Sequence, residues 1–376
     1  MDGLLRRRSI AVVFGTRPEM IKLMPLVRLL GDRGRLIHTG QHFDDDLSGR
    51  FLRQLGLGEP TVRLEVGGRR RGSQIGDATV LLEEHFSADP PEVVVVHGDT
   101  NAALAGALAA NASGIPLVHV EAGLRSFDRA MPEEHNRIVA DHLADLCLAP
   151  TETNRANLAA EGIGGDRVML TGNTVVDAVQ ELLPSEDERT AVISGYGLEP
   201  GRYVLSTLHR PENVDDPEAL AGILDELGRC ALPVILCLHP RTRHSIEVHG
   251  LSELLSKLCV LAPLGYRDFL SLAAGSALLV SDSGGVQEEA SVLKRPVLVV
   301  RNSTERPEIL GTFAQLVPPG PLVGAWIAEL LARGRQLGER LAAIPSPYGD
   351  GTAALRSFAA ITTLLSRPAS PRRVAF

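Results

Sequence analysis

The same rhythm runs through this chain twice: a short apolar run rich in β-branched residues, a turn, then a segment with helical spacing. In the first half the runs are Ile10–Phe14, Leu36–Thr39, Val93–His97, Leu117–Glu121, Asp145–Ala149 and Val168–Leu170. In the second they are Tyr203–Thr207, Val234–Leu238, Cys259–Leu261, Leu278–Ser281, Val297–Val300 and Gln315–Val317. VVVV at Val93–Val96 and VLVV at Val297–Val300 are continuous rather than alternating, as strands buried on both faces of a parallel sheet read. Helix punctuation falls between the runs. Pro18 suits the first turn of Glu19–Leu30 and Gly31 its end; Asp216 suits the N-cap of Glu218–Cys230. Repeated βα units in each half predict an α/β chain of two Rossmann-like, doubly wound domains facing a cleft. The length of 376 residues agrees, since one domain takes roughly 100–200. The break is expected in Pro184–Gly201, which lacks a strand signal. That gives a first domain at 1–183, a second from 184 and a disordered tail at 367–376.

Composition removes several function classes. The net charge is −8 and aromatics are 4%, a poor match to the positive field and stacking platforms that nucleic-acid binding needs. A local basic pocket for a phosphorylated small molecule stays open. Cys147, Cys230, Cys237 and Cys259 have no C-x-x-C spacing and lie in or beside apolar runs, so they read as small buried hydrophobes rather than a disulfide or zinc framework. His135 and His142 are seven apart, which does not suit a zinc pair. The basic Met1–Arg8 precedes an apolar run too short for a signal peptide, and no stretch is long enough to span a bilayer. A cytoplasmic protein with no membrane contact, no metal and no cofactor is expected.

Ligands of open α/β sheets sit at the carboxyl ends of strands, so chemistry is sought just after each run. The first leads into Gly15-Thr16-Arg17-Pro18-Glu19 and Lys22, a cationic helix start suited to an anion. It is neither a dinucleotide fingerprint nor a P-loop. Asp99 follows the Val93–His97 run and Glu121 ends the next. Asp99 has an alternative reading as an N-cap for the helix near Asn101. Pro132 reads as a helix start, with Glu133 and Arg137 at i,i+4 on one face, either functional or a surface pair. The second half supplies His209-Arg210-Pro211, His239-Pro240-Arg241 and Ser281-Asp282-Ser283-Gly284-Gly285. Ser-Gly-Gly opening a helix offers bare N–H groups to a diphosphate, and Glu289 one turn later could grip ribose hydroxyls.

Together these motifs resemble the non-hydrolysing UDP-N-acetylglucosamine 2-epimerases. The matching pieces are GTRPE-x-IK at Gly15–Lys22, TGQH at Thr39–His42, HGDT at His97–Thr100, HVEAGLRS at His119–Ser126 and PEE-x-NR at Pro132–Arg137. TLHRPEN at Thr207–Asn213, LHP at Leu238–Pro240, SDSGG-x-QEE at Ser281–Glu289, RNSTERPE at Arg301–Glu308 and PYGDG at Pro347–Gly351 complete them, in order over nearly the whole chain. The resemblance implies the glycosyltransferase-B architecture, a homodimer, a second domain at 184–350, and a last helix at 351–366 crossing back onto the first domain. It implies interconversion of UDP-GlcNAc and UDP-ManNAc without nicotinamide. The catalytic set would be Asp99, Glu121, Glu133 and His209. Arg17, Lys22, Arg137, Phe269, Ser283, Gly284, Gly285, Glu289 and Arg306 would hold the nucleotide sugar. Gln41 and His42 match positions near a second, regulatory UDP-GlcNAc.

The chemistry has a physical logic of its own. A C2–H beside an acetamido group is not α to a carbonyl, and it becomes acidic only as the C1–O bond breaks. The protein must stabilise departing UDP and supply a carboxylate at C2. Asp99, Glu121 or Glu133 could be that base, and crowding among the three would raise one carboxyl's pKa. The intermediate would be an enclosed 2-acetamidoglucal with UDP still bound. Pro211 stands where the family commonly has Arg, and GGRRRGSQI at Gly67–Ile75 is unusually rich in arginine. Other readings are a 2-epimerase of another UDP-2-acetamido sugar such as UDP-2,3-diacetamido-glucuronic acid, a hydrolysing relative that releases ManNAc, a glycosyltransferase of the same architecture, or a catalytically silent sugar-nucleotide sensor.

Overall fold

In the computed structural model, which describes residues 9–41, 52 and 55–367, the two sets of βα units form two separate sheets. The first sheet contains β1 (Ile10–Phe14), β2 (Gly34–His38), β3 (Val62–Arg63), β4 (Val93–His97), β5 (Leu117–Val120), β6 (Leu146–Ala149) and β7 (Val168–Leu170), in the order β3-β2-β1-β4-β5-β6-β7. The second contains β8 (Val204–Thr207), β9 (Val234–Cys237), β10 (Cys259–Leu261), β11 (Leu278–Ser281), β12 (Val297–Val300) and β13 (Ala314–Val317), in the order β10-β9-β8-β11-β12-β13. Neighbouring strands pair in parallel in both. In each sheet the strand order reverses once, between β1 and β4 and between β8 and β11. The carboxyl ends of those four strands are the crevices where doubly wound sheets bind ligands.

One compact unit runs to Ala178 and resumes at Tyr348; the other is Val179–Pro347. The first is built on strands buried on both faces. Ile10–Val13 and Val93–Val96 are wholly inaccessible, and each fully buried valine is worth about 1.5–3 kcal/mol relative to exposure. The alanine-rich helix Asn101–Ala112 lies close against them; a Cβ at Gly106 would come within 2.8 Å of Val96 Cγ1. After Tyr348 the chain rejoins this unit through the helix Ala353–Ser366. The Asp177 carboxylate accepts from the Ala353 and Ala354 amides at its start (3.2 and 2.9 Å), and the Arg33 guanidinium sits 5.2 Å over the Phe358 ring. No helix among the described residues is long and apolar enough to cross a membrane.

The differences from the sequence reading have local causes. β5 stops at Val120 because Glu121 takes a positive φ of 67° and leaves the ladder. Asp145 lies outside β6, and its carboxylate accepts from the Leu117 amide at 2.7 Å. The stretch after Pro184 is a helix, Glu186–Gly195, opened by a capping box of Ser185 and Glu188. The chain passes from one unit to the other at Ala178/Val179, inside the helix Thr174–Leu182. Cys147 and Cys237 are buried, but Cys230 is only partly so and Cys259 is exposed, because β10 is an edge strand.

Candidate active site

At the β1–β4 reversal, β1 ends in Gly15-Thr16 and the helix Arg17–Leu30 begins, with Thr16 and Glu19 forming a capping box. Glu19 Oε2 accepts from the Gly15 amide (3.0 Å), the Thr16 amide (2.8 Å) and the Thr16 hydroxyl (2.8 Å). Its Oε1 accepts from Thr100 Oγ1 at 2.8 Å, so one carboxyl joins the loops after β1 and β4. Burial outweighs these donors and pushes Glu19 up to about 7.

Asp99 does not cap the helix Asn101–Ala112. Thr100 is the N-cap, its hydroxyl accepting from the Ala103 amide at 3.0 Å. That leaves the Asp99 carboxylate to Arg137, whose Nε donates to Oδ2 at 3.1 Å and whose Nη2 also bonds it. Asn136 Nδ2 donates to the Asp99 carbonyl at 2.8 Å. Both residues come from the helix Pro132–Leu143, so that helix grips Asp99 by backbone and side chain. Arg137, 1% exposed, also bonds Glu134. Glu134 is the structural member of the acidic pair: it accepts from the Ser126 amide and hydroxyl (3.0 Å each) and the Phe127 amide (2.9 Å). Glu133, one position earlier, is only partly buried.

Glu121 is buried at the end of β5 in the left-handed region, a conformation that costs a non-glycine residue of order 1 kcal/mol or more and clusters at functional sites. Its Oε2 is ion-paired with buried Lys22 and accepts from Asn173 Nδ2 at 3.0 Å. The expected crowding of acids is thus resolved by separate cations, Lys22 on Glu121 and Arg137 on Asp99. Gly123 follows with φ 84°; a Cβ there would lie 2.4 Å from the Asn154 carbonyl oxygen, so the loop carrying Glu121 closes on its neighbour only with glycine. His97 was absent from the sequence-derived set. It is 3% exposed, its Nε2 stands 3.5 Å from Glu121 Oε2, and neither ring nitrogen has a hydrogen-bond partner among the described residues. Burial, against the opposing pull of Glu121, drives it down to about 4, so it is a neutral imidazole at pH 7.

Arg17 is partly exposed at the helix start. Gln41 Oε1 accepts from the Ala102 amide at 3.0 Å, and its carbonyl accepts from Gln74 Nε2 at 3.3 Å. His42 lies outside the described residues. The arginine-rich stretch opens the helix Arg71–Ala88, and Arg71 Nη2 donates to Asn136 Oδ1 at 2.6 Å.

In the second unit the β8–β11 reversal gathers another set. Pro211 occupies the first turn of a short helix, Pro211–Val214, a position where its missing N–H costs nothing. Before it, His209 Nδ1 pairs with Asp282 Oδ1 at 2.9 Å. Asp282 Oδ2 accepts from the amides of His209 and Arg210 (2.8 Å each) and from Asn213 Nδ2 (2.9 Å). Asp282 is fully buried; burial works to raise its pKa, but the His209 contacts and the other donors hold it below the usual carboxylate value. It fixes the imidazole's orientation while the His209 side chain stays 34% exposed.

Asp282 also leads into Ser283, the N-cap of the helix Gly284–Leu293, whose side chain makes no capping bond. The first-turn amides therefore keep their capacity for an anion. A Cβ at Gly284 would lie 2.6 Å from Arg306 Nη1, whereas one at Gly285 would meet nothing closer than 3.8 Å. Gly284 makes room for the protein itself; Gly285 leaves open space. Arg306 is held by Glu288 (Nε to Oε1, 2.7 Å) and by Glu305. Glu289 Oε1 accepts from the Tyr266 hydroxyl at 2.8 Å, and Phe269, one turn along Tyr266's helix, is partly buried. The first unit thus assembles Asp99, Glu121, Lys22 and Arg137. The second assembles His209 with Asp282, and Ser283, Gly284 and Arg306.

Comparison with known proteins identifies the family. Residues 32–362 match the family model of UDP-N-acetylglucosamine 2-epimerase. The chain is 39% identical to the UDP-N-acetylglucosamine 2-epimerase of Methanocaldococcus jannaschii, over 82% of this chain and 88% of that one. It is 36% identical to the UDP-2,3-diacetamido-2,3-dideoxy-D-glucuronate 2-epimerase of Pseudomonas aeruginosa, over 93% and 98%. The crystal structure of the M. jannaschii enzyme with UDP-GlcNAc and UDP superposes with a TM-score of 0.83 at 37% identity, covering 94% of this chain and 99% of that one. With two parallel α/β sheets, carboxylates after β4 and β5 and an open helix start after β11, the chain belongs to the UDP-N-acetylglucosamine 2-epimerase family.

Proposed function

We propose that this chain interconverts UDP-GlcNAc and UDP-ManNAc by eliminating UDP across C1–C2 and adding it back. The observation that carries the reading is Glu121: a buried carboxylate in a strained backbone, paired with Lys22 and beside a neutral histidine. Such strain persists where the surroundings over-determine it. The nucleotide's diphosphate would lie on the amides of Ser283–Gly285 with Arg306 beside them, and Glu289 would take the ribose hydroxyls. His209, oriented by Asp282, would serve the leaving phosphate oxygen. As C1–O lengthens, positive charge at C1 makes the C2 hydrogen acidic. Asp99, Glu121 or Glu133 removes it and a carboxyl returns a proton to the other face. The glucal formed between these steps needs water kept out. A homodimer and a regulatory nucleotide near Gln41 belong to the same reading, testable by light scattering and by UDP-GlcNAc dependence of the reverse reaction.

The 36% identity to a diacetamido-glucuronate 2-epimerase supports a second substrate reading with the same chemistry. Proton NMR in D2O with each UDP-sugar tests both. Deuterium at C2 and a new anomeric signal are expected, and the sugar that shows them names the substrate. Asp99→Asn, Glu121→Gln and Glu133→Gln should each lose most turnover while still binding UDP. No exchange and no new anomer with either sugar would overturn the epimerase reading in favour of a transferase or a sensor.

A further inference from the structure

Beneath the first unit's carboxylates lies a buried chain of alternating charge that the mechanism above does not use. His119 sits on β5, wholly inaccessible. Its Nδ1 is 2.6 Å from Asp141 Oδ1 and its Nε2 is 2.7 Å from the Gly98 carbonyl oxygen. A carboxylate and a carbonyl can only accept, so both ring nitrogens carry hydrogen and the ring is an imidazolium. Burial opposes that charge, but Asp141 and the two hydrogen bonds outweigh it and raise the pKa of His119. Asp141 Oδ2 accepts from the Gly123 amide (3.1 Å) and from Arg125 Nη1 (2.7 Å), and Arg125 forms a two-pronged pair with Glu161 at 2.7 Å on each prong.

The anchored atoms are telling. Gly98 immediately precedes Asp99, Gly123 is two residues after Glu121, and Asp141 lies on the helix that carries Glu133 and Arg137. We propose that His119 is a positioning residue for the C2 chemistry: its imidazolium, held by Asp141, fixes the Gly98 carbonyl and through it the reach of Asp99. This inference rests on the proposed epimerisation and adds the group that aligns its carboxylates. A shift of about 1 Å in a reacting group can cost about 100-fold in rate, which sets the expected scale.

Two variants remove the same charge but keep different contacts. The amide of His119→Gln can reach the Gly98 carbonyl, whereas that of His119→Asn can reach only Asp141. Turnover in the C2 deuterium assay should fall about 100-fold in His119→Asn and about 10-fold or less in His119→Gln. KM and the Kd for UDP should stay within about twofold in both. Equal losses in the two variants, a greater loss in the Gln variant, or unchanged turnover would overturn the proposal. Nitrogen NMR of the histidine-labelled wild-type protein, which needs no variant and no activity, should show two N–H groups on His119 at pH 8. A singly protonated ring would overturn it. Wild-type protein inert toward both UDP-sugars would instead count against the epimerase reading, whatever the His119 signals show.

Discussion

Two buried groups in the first unit should tilt its stability in opposite directions as pH changes. Glu19 has a pKa of about 7 against 4.5 for the free group, and His97 has one of about 4 against 6.5. Each displacement corresponds to about 3 kcal/mol. For Glu19 the folded state binds more protons than the unfolded one. Its contribution is complete below pH 4.5 and lost as pH rises through about 7. For His97 the folded state binds fewer, so its contribution is present above pH 6.5 and lost as pH falls through about 4. Between roughly pH 4.5 and 6.5 the two largely cancel in the wild type. Glu19→Gln should leave a first unit whose stability rises with pH across that window, and His97→Asn one whose stability falls. Urea unfolding read by peptide-resolved hydrogen exchange over β1 and β4 measures this directly. The single tryptophan, Trp326, lies in the second unit, so its fluorescence serves as a control with unchanged pH dependence in both variants. Parallel pH profiles for the two variants would refute the assignment of a neutral His97 and a proton-holding Glu19.

The helix start after β11 gives a sharper separation of binding from stability. Gly285→Ala should leave thermal stability unchanged or raise it by up to about 1 kcal/mol, because the helix gains a better former, while calorimetry shows UDP binding weakened at least about tenfold, roughly 1.4 kcal/mol. Gly284→Ala should lower stability by about 1–3 kcal/mol through overpacking on Arg306; similar behaviour of the two variants would contradict the division of roles. Asp282→Asn removes a buried charge that three donors and His209 rely on, and a loss of about 3–5 kcal/mol in unfolding free energy is expected. His209→Ala, at a side chain about one third exposed, should abolish most turnover with a stability change near zero. If His209→Ala destabilised as much as Asp282→Asn, the histidine would be structural.

Much of this was legible in the residues and some was not, for physical reasons. Continuous valine runs announce strands buried on both faces, and β1, β4, β7, β10, β11 and β12 begin and end where the runs do. Carboxylates directly after β4 and β5 were equally visible. The role of Asp99 was not, because Asp and Thr are both good caps and adjacent. What decides between them is Arg137, 38 residues away. Composition cannot show that Glu121 leaves its strand, since a left-handed glutamate is imposed by tertiary packing. Nor could spacing alone assign Glu134 to the protein's interior and leave Glu133 partly open. His97 looked like the tail of a strand, and its character comes from burial between Lys22 and Glu121. The Ser185–Glu188 capping box, by contrast, was written in the sequence as S-x-x-E and marks a helix where a connector was expected.

Rapid acid quench of the enzyme turning over UDP-GlcNAc, carrying heavy oxygen in the bridge between C1 and phosphorus, asks the decisive question. If the sugar–phosphate bond opens before the hydrogen at C2 is exchanged, the quench must contain UDP and 2-acetamidoglucal in equal amounts, with the heavy oxygen wholly in the UDP. If deuterium enters C2 while neither fragment is found, the proton leaves an intact nucleotide sugar and the elimination account is wrong.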